Sequence, residues 1–524
     1  MVPARRDRRR LGVARLLIHG GLVVPSADAR PLPGADILIR DGRIAAVGKL
    51  AGAAGRVDRV IDASRRIVFP GLINAHCHTY ESFNRGVAPM APMEIWALYG
   101  HPVLGVAPRT PDQVYWRTLL PCLEMLRNGV TTVIDDISVY YDHRDEIVHA
   151  IMQAYRDAGI RAWATVKAMD RPLYDTLPID PALIPAGLLR AFKCVRVPTA
   201  RQLLSWSRRN MQQQERQGGL ARFIPNPSAP QRCTPALLKG LHRLAEDHGF
   251  PYVIHVQETR LQAVQGPRRY GGSMIAELDR LGLLTEVTSI MHGIWLDPDD
   301  IRRLADRRAT VVHNPASNCK LGSGLAPLRA LVEAGVNVAL GCDGTSSNDG
   351  VSILEAMKWA TLLTGLTDPD YRHWLTPHEA FRMATAGGAR SALWQKQVGA
   401  IEPGRRADLV LVDRHAPAFA PLKDPVAQLV LAEAGQSIRT VLVDGRVVVE
   451  DGRVLTADIG RAAERVQEIG RRLAVEQART FAIARRLEPL WRGMIDEART
   501  APLAIDRLAW DAGKSGSGRR RSKS

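Results

Sequence analysis

The chain has 524 residues, 46% of them hydrophobic and 24% charged, which is typical of a soluble globular protein with more than one domain. The formal net charge is +17, but about half of it lies in two basic tails, residues 1–14 and 511–524. The remaining charge follows no aromatic-interleaved basic motif, which argues against nucleic acid as a partner. No apolar stretch has the length of a membrane span and no leader is recognisable, so we expect a cytoplasmic protein that does not enter membranes.

The six cysteines are scattered along the chain, and no two of them form a Cys-x-x-Cys pair. This spacing argues against a disulfide framework and against a zinc site made of thiolates. Any bound metal is therefore expected to have nitrogen and oxygen ligands.

Short strands are predicted near both ends of the chain. The pair Asp41-Gly42 separates two apolar runs, which is a strong signal for a β-hairpin. A similar pattern returns over residues 408–413 and 441–449. We predict that residues 15–68 and 395–455 together form one small composite β-sandwich domain. Two independent small domains are the alternative.

The middle of the chain, residues 69–394, alternates short apolar runs with longer amphipathic ones. The predicted strands are 68–76, 130–134, 162–167, 222–226, 252–256, 289–292, 310–313 and 338–342. Strands that alternate with helices indicate a parallel sheet, and eight of them predict an α/β fold of the (β/α)8 TIM-type barrel. Residues 456–510 are predicted to form a C-terminal helical extension, followed by a disordered basic tail.

Histidine and acidic side chains stand at the predicted carboxyl ends of four strands, where a barrel places its active site. They are His76 and His78 on the first strand, His255 and Glu258 at the fifth, His292 at the sixth and Asp343 at the eighth. Because side chains of a strand alternate, the imidazoles of His76 and His78 point to the same side. Three histidines and a carboxylate suit a divalent metal such as zinc, and they leave one histidine and one glutamate for proton transfer.

The motifs around these residues resemble the amidohydrolase superfamily. They are residues 70–78, His255-x-x-Glu258, His292-Gly293, residues 313–318 and residues 341–344. The branch they resemble most contains chlorohydrolases and aminohydrolases, including methylthioadenosine/S-adenosylhomocysteine deaminases, guanine deaminases and s-triazine hydrolases. The resemblance extends over residues 15–455 and includes the composite β domain.

The resemblance implies one divalent metal, zinc or alternatively iron, held by His76, His78, His255 and Asp343. Relatives with two metals carry a carboxylated lysine at the end of strand four, whereas residues 224–228 here contain no lysine. A bound divalent cation makes hydroxide available near neutral pH. Asp343 can then accept the proton of the water, which makes it a catalytic residue as well as a ligand.

Two further residues are predicted to be catalytic. Glu258 is placed to pass the proton to a ring nitrogen and then to the leaving group. His292 can hydrogen-bond the attacking oxygen. Lys167, which ends the third predicted strand, is interpreted as structural or solvent-facing.

Five residues are predicted to contact the substrate. Glu81, Arg85 and Trp96 follow the first two histidines and are expected at the mouth of the barrel, and Asn318 is expected on the same side. Nucleoside-type deaminases of the branch usually show Pro-His-x-Pro after strand four. Here Ser228 stands in the position of that histidine, which argues against adenosine-type substrates.

These observations predict hydrolytic deamination of an aminated heterocycle or cyclic amidine, a small molecule. An s-triazine-type hydrolase that releases chloride or an alkylamine, a cyclic-amide hydrolase and, more remotely, a non-catalytic scaffold are the alternatives. All six site residues are present, which argues against the scaffold. The resemblance also implies a homodimer or homotetramer.

Overall fold

The computed structural model describes residues 15–50, 55–139 and 142–508. The two predicted basic tails, 1–14 and 511–524, lie outside the described residues. Within the described ranges, no helix combines the length and the apolar character that a membrane span requires.

A nine-stranded mixed sheet is formed by strands from both ends of the chain. Its strands are β1 Arg15–Val23, β2 Leu32–Arg40, β3 Arg43–Gly48, β4 Arg59–Asp62, β5 Arg66–Pro70, β15 Leu409–Asp413, β16 Ile438–Val443, β17 Arg446–Glu450 and β18 Arg453–Val454. The two halves meet where β5 pairs antiparallel with β15, with Pro70 opposite Leu409. The predicted association of the two ends is therefore seen in the sheet, whereas the exact domain boundaries stay predictions.

The remaining strands follow one another in the order of a (β/α)8 barrel. They are β6 Leu72–His78, β7 Val130–Ile137, β8 Arg161–Ala168, β9 Ala221–Pro227, β10 Tyr252–Val256, β11 Thr288–His292, β12 Thr310–His313, β13 Asn337–Leu340 and β14 Asp343–Gly344. Parallel pairing connects β6 through β9 and, separately, β10 through β13. The short β14 returns to the first barrel strand, with Asp343 opposite Cys77. The expected eight strands are thus present in the expected order.

Two predicted strands are divided in the structure. The predicted strand 68–76 is split between β5 and β6, because Pro70 lacks a backbone N–H and the chain changes sheets at Gly71. A Cβ atom at Gly71 would lie 2.1 Å from Oγ1 of Thr131, so only glycine fits where the backbone passes β7. The predicted strand 338–342 ends at Leu340, and Asp343 begins the separate strand β14.

Helices between the strands pack on the outside of the barrel. They are α1 Met93–Gly100, α2 Pro111–Arg127, α3 Asp145–Ala158, α4 Ala186–Cys194, α5 Ala200–Glu215, α6 Pro235–His248, α7 Arg260–Tyr270, α8 Met274–Arg280, α9 Pro298–Asp306, α10 Pro315–Lys320, α11 Leu328–Glu333, α12 Ile353–Leu363, α13 Pro377–Arg382, α14 Gly388–Ser391 and α15 Pro425–Leu431. The buried apolar side chains of most of them join those of the strands in one main core, whereas those of α1 and α4 belong mainly to a smaller separate cluster. Several begin with a cap that is readable in the sequence, such as Thr110, which accepts a hydrogen bond from the backbone of Gln113.

A single 42-residue helix, α16 Ile459–Thr500, follows the last strand of the mixed sheet. The Asp458 side chain caps its start by accepting a hydrogen bond from the backbone N–H of Arg461. Buried apolar residues of its second half, including Leu487 and Trp491, pack with Leu98 of α1 and Leu261 of α7. The helix is thereby attached to the mouth of the barrel.

Candidate metal centre and active site

The two histidines of β6 present their rings to the inside of the barrel, and the residue between them does not. His76 and His78 are both buried, and their ring centroids are 4.5 Å apart. Cys77 is also fully buried but packs within the main apolar core. Alternation along a strand produces this arrangement, as the sequence predicts.

Four buried donor atoms converge at this end of the barrel. The Nε2 atom of His78 lies 3.1 Å from Oδ1 of Asp343, and Nε2 of His76 lies 3.5 Å from the same oxygen. The Nε2 atom of His255 lies 3.4 Å from Nε2 of His78. The hydroxyl of Ser317 donates to the other carboxylate oxygen of Asp343, which fixes the orientation of that group. Three imidazoles and a carboxylate are a common ligand set for zinc and for iron.

Backbone carbonyls determine which ring nitrogens carry hydrogen. Nδ1 of His78 donates to the carbonyl of Asp136 at 2.6 Å, and Nδ1 of His255 donates to the carbonyl of Ser228 at 3.1 Å. Because a carbonyl can only accept, both Nε2 atoms keep their lone pairs for a cation. Within the part of the chain that the structure describes, neither ring nitrogen of His76 has a hydrogen-bond partner, although both are buried. The free Nε2 atoms of His78 and His255 and one ring nitrogen of His76 are thus available to bind the same divalent metal ion.

Burial keeps the ligand histidines neutral. It lowers the pKa of His76 and holds the pKa values of His78 and His255 well below the usual range. Burial disfavours the charged form of Asp343 too, but the neighbouring imidazoles of His76 and His78 outweigh it and hold its pKa well below the usual range. Neutral imidazoles beside an ionised carboxylate are the protonation states that metal binding requires.

Glu258 and His292 border the same pocket. Oε1 of Glu258 lies 3.9 Å from Nε2 of His292. Burial raises the pKa of Glu258, which brings this carboxyl closer to the range useful for proton transfer near neutral pH. The pocket they share with the ligand histidines has a volume of about 80 Å³.

Three residues at these strand ends have positive φ angles although none is glycine. The angles are 49° at Gln257, 69° at His292 and 60° at Asp343. Left-handed backbone is unfavourable for such residues and is retained where the surrounding structure enforces it, often at functional sites. Here it turns the chain sharply at the points where ligand and catalytic side chains enter the pocket.

The predicted substrate residues occupy different places. Trp96 and Ser228 line the pocket, and the indole of Trp96 donates to the carbonyl of Ser346 at 3.1 Å. Asn318 does not line the pocket but lies behind His292, with its Oδ1 3.0 Å from the Nδ1 of that ring. The structure thus places Asn318 against the His292 ring, and its predicted contact with the substrate stays a prediction.

Glu81 and Arg85 also lie away from the pocket surface, because the chain turns back in a short 3-10 helix, Thr79–Asn84, directly after His78. Arg85 is exposed and pairs with Glu124 at 2.8 Å. Glu81 is fully buried and accepts hydrogen bonds from the backbone and hydroxyl of Ser346, at 3.0 and 2.9 Å. Burial, followed by the charge of Asp343, raises the pKa of Glu81 to about 8. Glu81 therefore supports the loop after β14, and its side chain has no surface exposed to the pocket.

Several pocket residues are missing from the predictions based on sequence. Lys167, interpreted above as structural or solvent-facing, is buried, lines the pocket and places its Nζ 3.3 Å from the carboxylate of Asp136, which contradicts the solvent-facing alternative and leaves the structural one. His101, Gln231 and Arg232 line the pocket as well. The signal available for Lys167 was its place at the carboxyl end of a barrel strand.

A pair of buried acids at the end of β7 supports the metal centre. Besides its carbonyl bond to His78, Asp136 places a carboxylate oxygen 3.6 Å from Nδ1 of His255. Asp135 accepts hydrogen bonds from the backbone and hydroxyl of Thr79, at 3.0 and 2.5 Å, and from Tyr155. Both acids stand at a predicted strand end and were readable there as candidates.

Known proteins share the sequence and the fold of this chain. A 5-methylthioadenosine/S-adenosylhomocysteine deaminase of Syntrophobacter fumaroxidans is 34% identical over 461 residues, which cover 87% of this chain and 97% of that protein. The structure of a zinc-bound adenosine deaminase from Xanthomonas campestris superposes with a TM-score of 0.77 at 28% identity, covering 88% of this chain and 98% of the other.

An atrazine chlorohydrolase from Arthrobacter aurescens, solved with zinc, superposes with a TM-score of 0.78 at 26% identity. The match covers 87% of this chain and all of that one. The model of the amidohydrolase family matches residues 67–448 of this chain. The resemblance read from the motifs and the (β/α)8 fold are both confirmed, and the chain belongs to the amidohydrolase family.

Proposed function

We propose that this protein is a metal-dependent hydrolase that deaminates an aminated heterocycle or cyclic amidine. The observation that carries the proposal is the convergence of three imidazole Nε2 atoms and the Asp343 carboxylate, with Glu258 beside them. Relatives named as deaminases and an adenosine deaminase among the structural neighbours support the same reaction.

The side chains divide the work of the reaction. The metal held by His76, His78, His255 and Asp343 would supply a nucleophilic oxygen near neutral pH. Asp343 accepts a proton from the attacking water, and Glu258 delivers a proton to a ring nitrogen and then to the departing amine. A C–O bond replaces the C–N bond, and ammonia leaves.

We propose zinc as the metal, with iron as the alternative. The ligand set contains nitrogen and oxygen only, and zinc occupies the two solved structures compared above. Metal analysis of the purified protein, followed by reconstitution of the chelated protein with Zn²⁺ or with Fe²⁺ under anaerobic conditions, tests the assignment. Activity restored by Fe²⁺ alone would exclude zinc.

The reaction can be tested with a panel of compounds. Metal-loaded protein is incubated with aminopurines and their nucleosides, aminopyrimidines and aminotriazines, and ammonia is measured enzymatically. Release of ammonia from one class of compound identifies the class of substrate. Glu258→Gln protein, purified in the same way, is the control for contaminating activity. Release of chloride or an alkylamine without ammonia would favour the second candidate, a triazine-type hydrolase. The structural similarity to the atrazine chlorohydrolase supports this candidate. No product from any compound would contradict both.

We further propose that the protein works in the cytoplasm as a homodimer or homotetramer, with no nucleic-acid partner. All six cysteines lie within the described residues and are unpaired, which suits a reducing compartment. Sedimentation of the purified protein measures the oligomer directly, and a monomer at micromolar concentration would refute that part.

A further inference from the structure

A second cavity, of about 130 Å³, adjoins the metal pocket. The two share lining residues, among them His101, Lys167, Arg232 and Gln262. The same side chains therefore border both spaces, so the second cavity lies directly beside a molecule bound near the metal. We call this second cavity the apolar chamber.

Helix α16 forms one wall of the apolar chamber. Thr480, Ile483, Ala484, Leu487 and Trp491 line it, and their spacing of three and four residues places them on one face of the helix. The rest of the apolar lining comes from Leu98 of α1, Phe192 of α4 and Leu261 of α7, together with Leu104 in the loop after α1. Most of the lining is therefore aliphatic or aromatic.

Most polar residues of the apolar chamber border the metal pocket or have hydrogen-bond partners; the exception is Gln265, whose buried Nε2 has no partner among the described residues. Gln231 and Arg232 belong to the boundary that the two cavities share. The carboxylate of Glu94 accepts a hydrogen bond from Thr259 at 2.5 Å. A charged substituent in the chamber would lose its hydration without a matching set of partners at the α16 wall, whereas an apolar one would gain free energy from burial.

We propose that the substrate is an aminated heterocycle bearing an apolar substituent, aryl or branched alkyl, which occupies the apolar chamber against α16. This inference rests on the proposed function for the reaction itself and adds the class of substituent. Apolar cavities of comparable size, about 150 Å³, bind benzene in other proteins, so a single aromatic ring is a suitable occupant.

Two measurements test the apolar chamber. The first is binding of toluene, followed by saturation-transfer NMR, which needs no turnover. The second is the ratio of kcat/KM for a benzyl-bearing heterocycle to that for the same heterocycle without the benzyl group. Because each buried methylene changes kcat/KM by about fourfold, this ratio should exceed about ten in the wild-type protein.

Helix α16 offers a matched pair of variants. Ala484 is buried and lines the apolar chamber, whereas Ala482 is exposed two residues away. Ala484→Phe should abolish toluene binding and lower the benzyl ratio at least about tenfold, since the new ring fills the space. Ala482→Phe should leave both unchanged. Ala484→Leu adds less volume, should lower the ratio by a smaller factor, and carries the test if Ala484→Phe does not fold.

The outcomes separate the two proposals. Absence of toluene binding to the wild-type protein, or a benzyl ratio that Ala484→Phe and Ala482→Phe leave equal, would overturn the apolar chamber while deamination stands. Absence of ammonia from the whole panel, with toluene binding that Ala484→Phe removes, would overturn the proposed function and leave the chamber as an apolar binding site.

Discussion

The Nδ1 atom of His292 donates a hydrogen bond to Oδ1 of Asn318 at 3.0 Å. This bond assigns hydrogen to Nδ1 and leaves the Nε2 atom facing Glu258 as an acceptor. The side-chain amide of Asn318 thus stabilises one tautomer and one orientation of the His292 ring beside Glu258. We therefore expect Asn318 to position His292, which is a different role from the substrate contact predicted from its place in the sequence.

We expect Asn318→Ala to lower kcat by about 10- to 100-fold with little change in KM or metal content, because outer partners of site histidines have effects of this size. Asn318→Asp keeps an acceptor and should retain more activity. Metal content and KM are measured beside kcat for both variants. Equal losses of kcat in the two variants, or a loss that follows a lower metal content, would show a merely structural role.

Glu258 and Asp343 should separate catalysis from metal binding. Glu258→Gln removes the proton carrier but no predicted ligand, so metal content should be retained while kcat falls by about 10²- to 10⁴-fold. Asp343→Ala removes a ligand and should lose both metal and activity. Metal analysis of the purified variants beside steady-state kinetics checks this, and undiminished turnover in either variant would refute the assigned roles.

Removal of the metal should destabilise the folded protein. The Nε2 atoms of His78 and His255 lie 3.4 Å apart, and both nitrogens of His76 are buried without hydrogen-bond partners among the described residues, so a shared cation would remove the repulsion between facing lone pairs. A ligand present at a thousand times its dissociation constant contributes about 4 kcal/mol, so chelation should lower Tm by several degrees. Calorimetry before and after chelation, and after metal is restored, measures the effect. An unchanged Tm would argue against a metal at these residues.

Asp135 should make stability depend on pH. Burial raises its pKa from 3.8 to about 6, against the opposing hydrogen bonds of Thr79 and Tyr155. The folded state therefore binds this proton more tightly than the unfolded state, and the resulting stabilisation, complete below pH 3.8, is lost as the pH rises through about 6.

Asp135→Asn removes this titration. The free energy of unfolding of the wild type minus that of Asp135→Asn should therefore decrease as the pH rises from about 4 to about 7. Urea unfolding curves at closely spaced pH values provide the measurement. An increase with pH in the wild-type value minus the variant value would contradict the raised pKa of Asp135.

Ser228 is expected to govern the preference for ribose. Ser228→His restores the residue that nucleoside-type deaminases of this branch usually carry, and it should raise the kcat/KM ratio of a nucleoside to its free base by about three- to tenfold through one added hydrogen bond. Ser228→Ala is the control, because the backbone carbonyl that accepts from His255 remains in both variants. No change, or a decrease with the His variant, would place ribose recognition elsewhere.

The metal centre could be predicted because its geometry follows from the strands alone. Alternation fixes the sides to which His76, Cys77 and His78 point, and the parallel order brings the ends of β6, β10, β11 and β14 together. Neither step requires knowledge of a loop. The positions of the residues predicted from loops could not be derived in this way, since Glu81 lies in a 3-10 helix and Arg85 directly after it, and no periodicity indicates the direction of that helix.

The wall of the apolar chamber was beyond prediction for a different reason. The amphipathic pattern of residues 459–500 predicts a helix that packs against something, but it does not identify the partner. That partner is formed by α1, α7 and loops that lie more than 150 residues earlier in the sequence, so the contact is entirely non-local. The burial of Lys167 could not be decided from the sequence for a related reason, since its partner Asp136 belongs to another strand.

The attachment of α16 has a practical consequence for engineering. The helix carries none of the four predicted metal ligands and none of the proposed proton carriers, yet it faces the space beside them. A library of substitutions restricted to its inward face can therefore search for altered selectivity without disturbing ion affinity. A fusion or truncation placed in this helix, in contrast, would change the substrate selectivity of the enzyme and leave the residues of the chemical step in place.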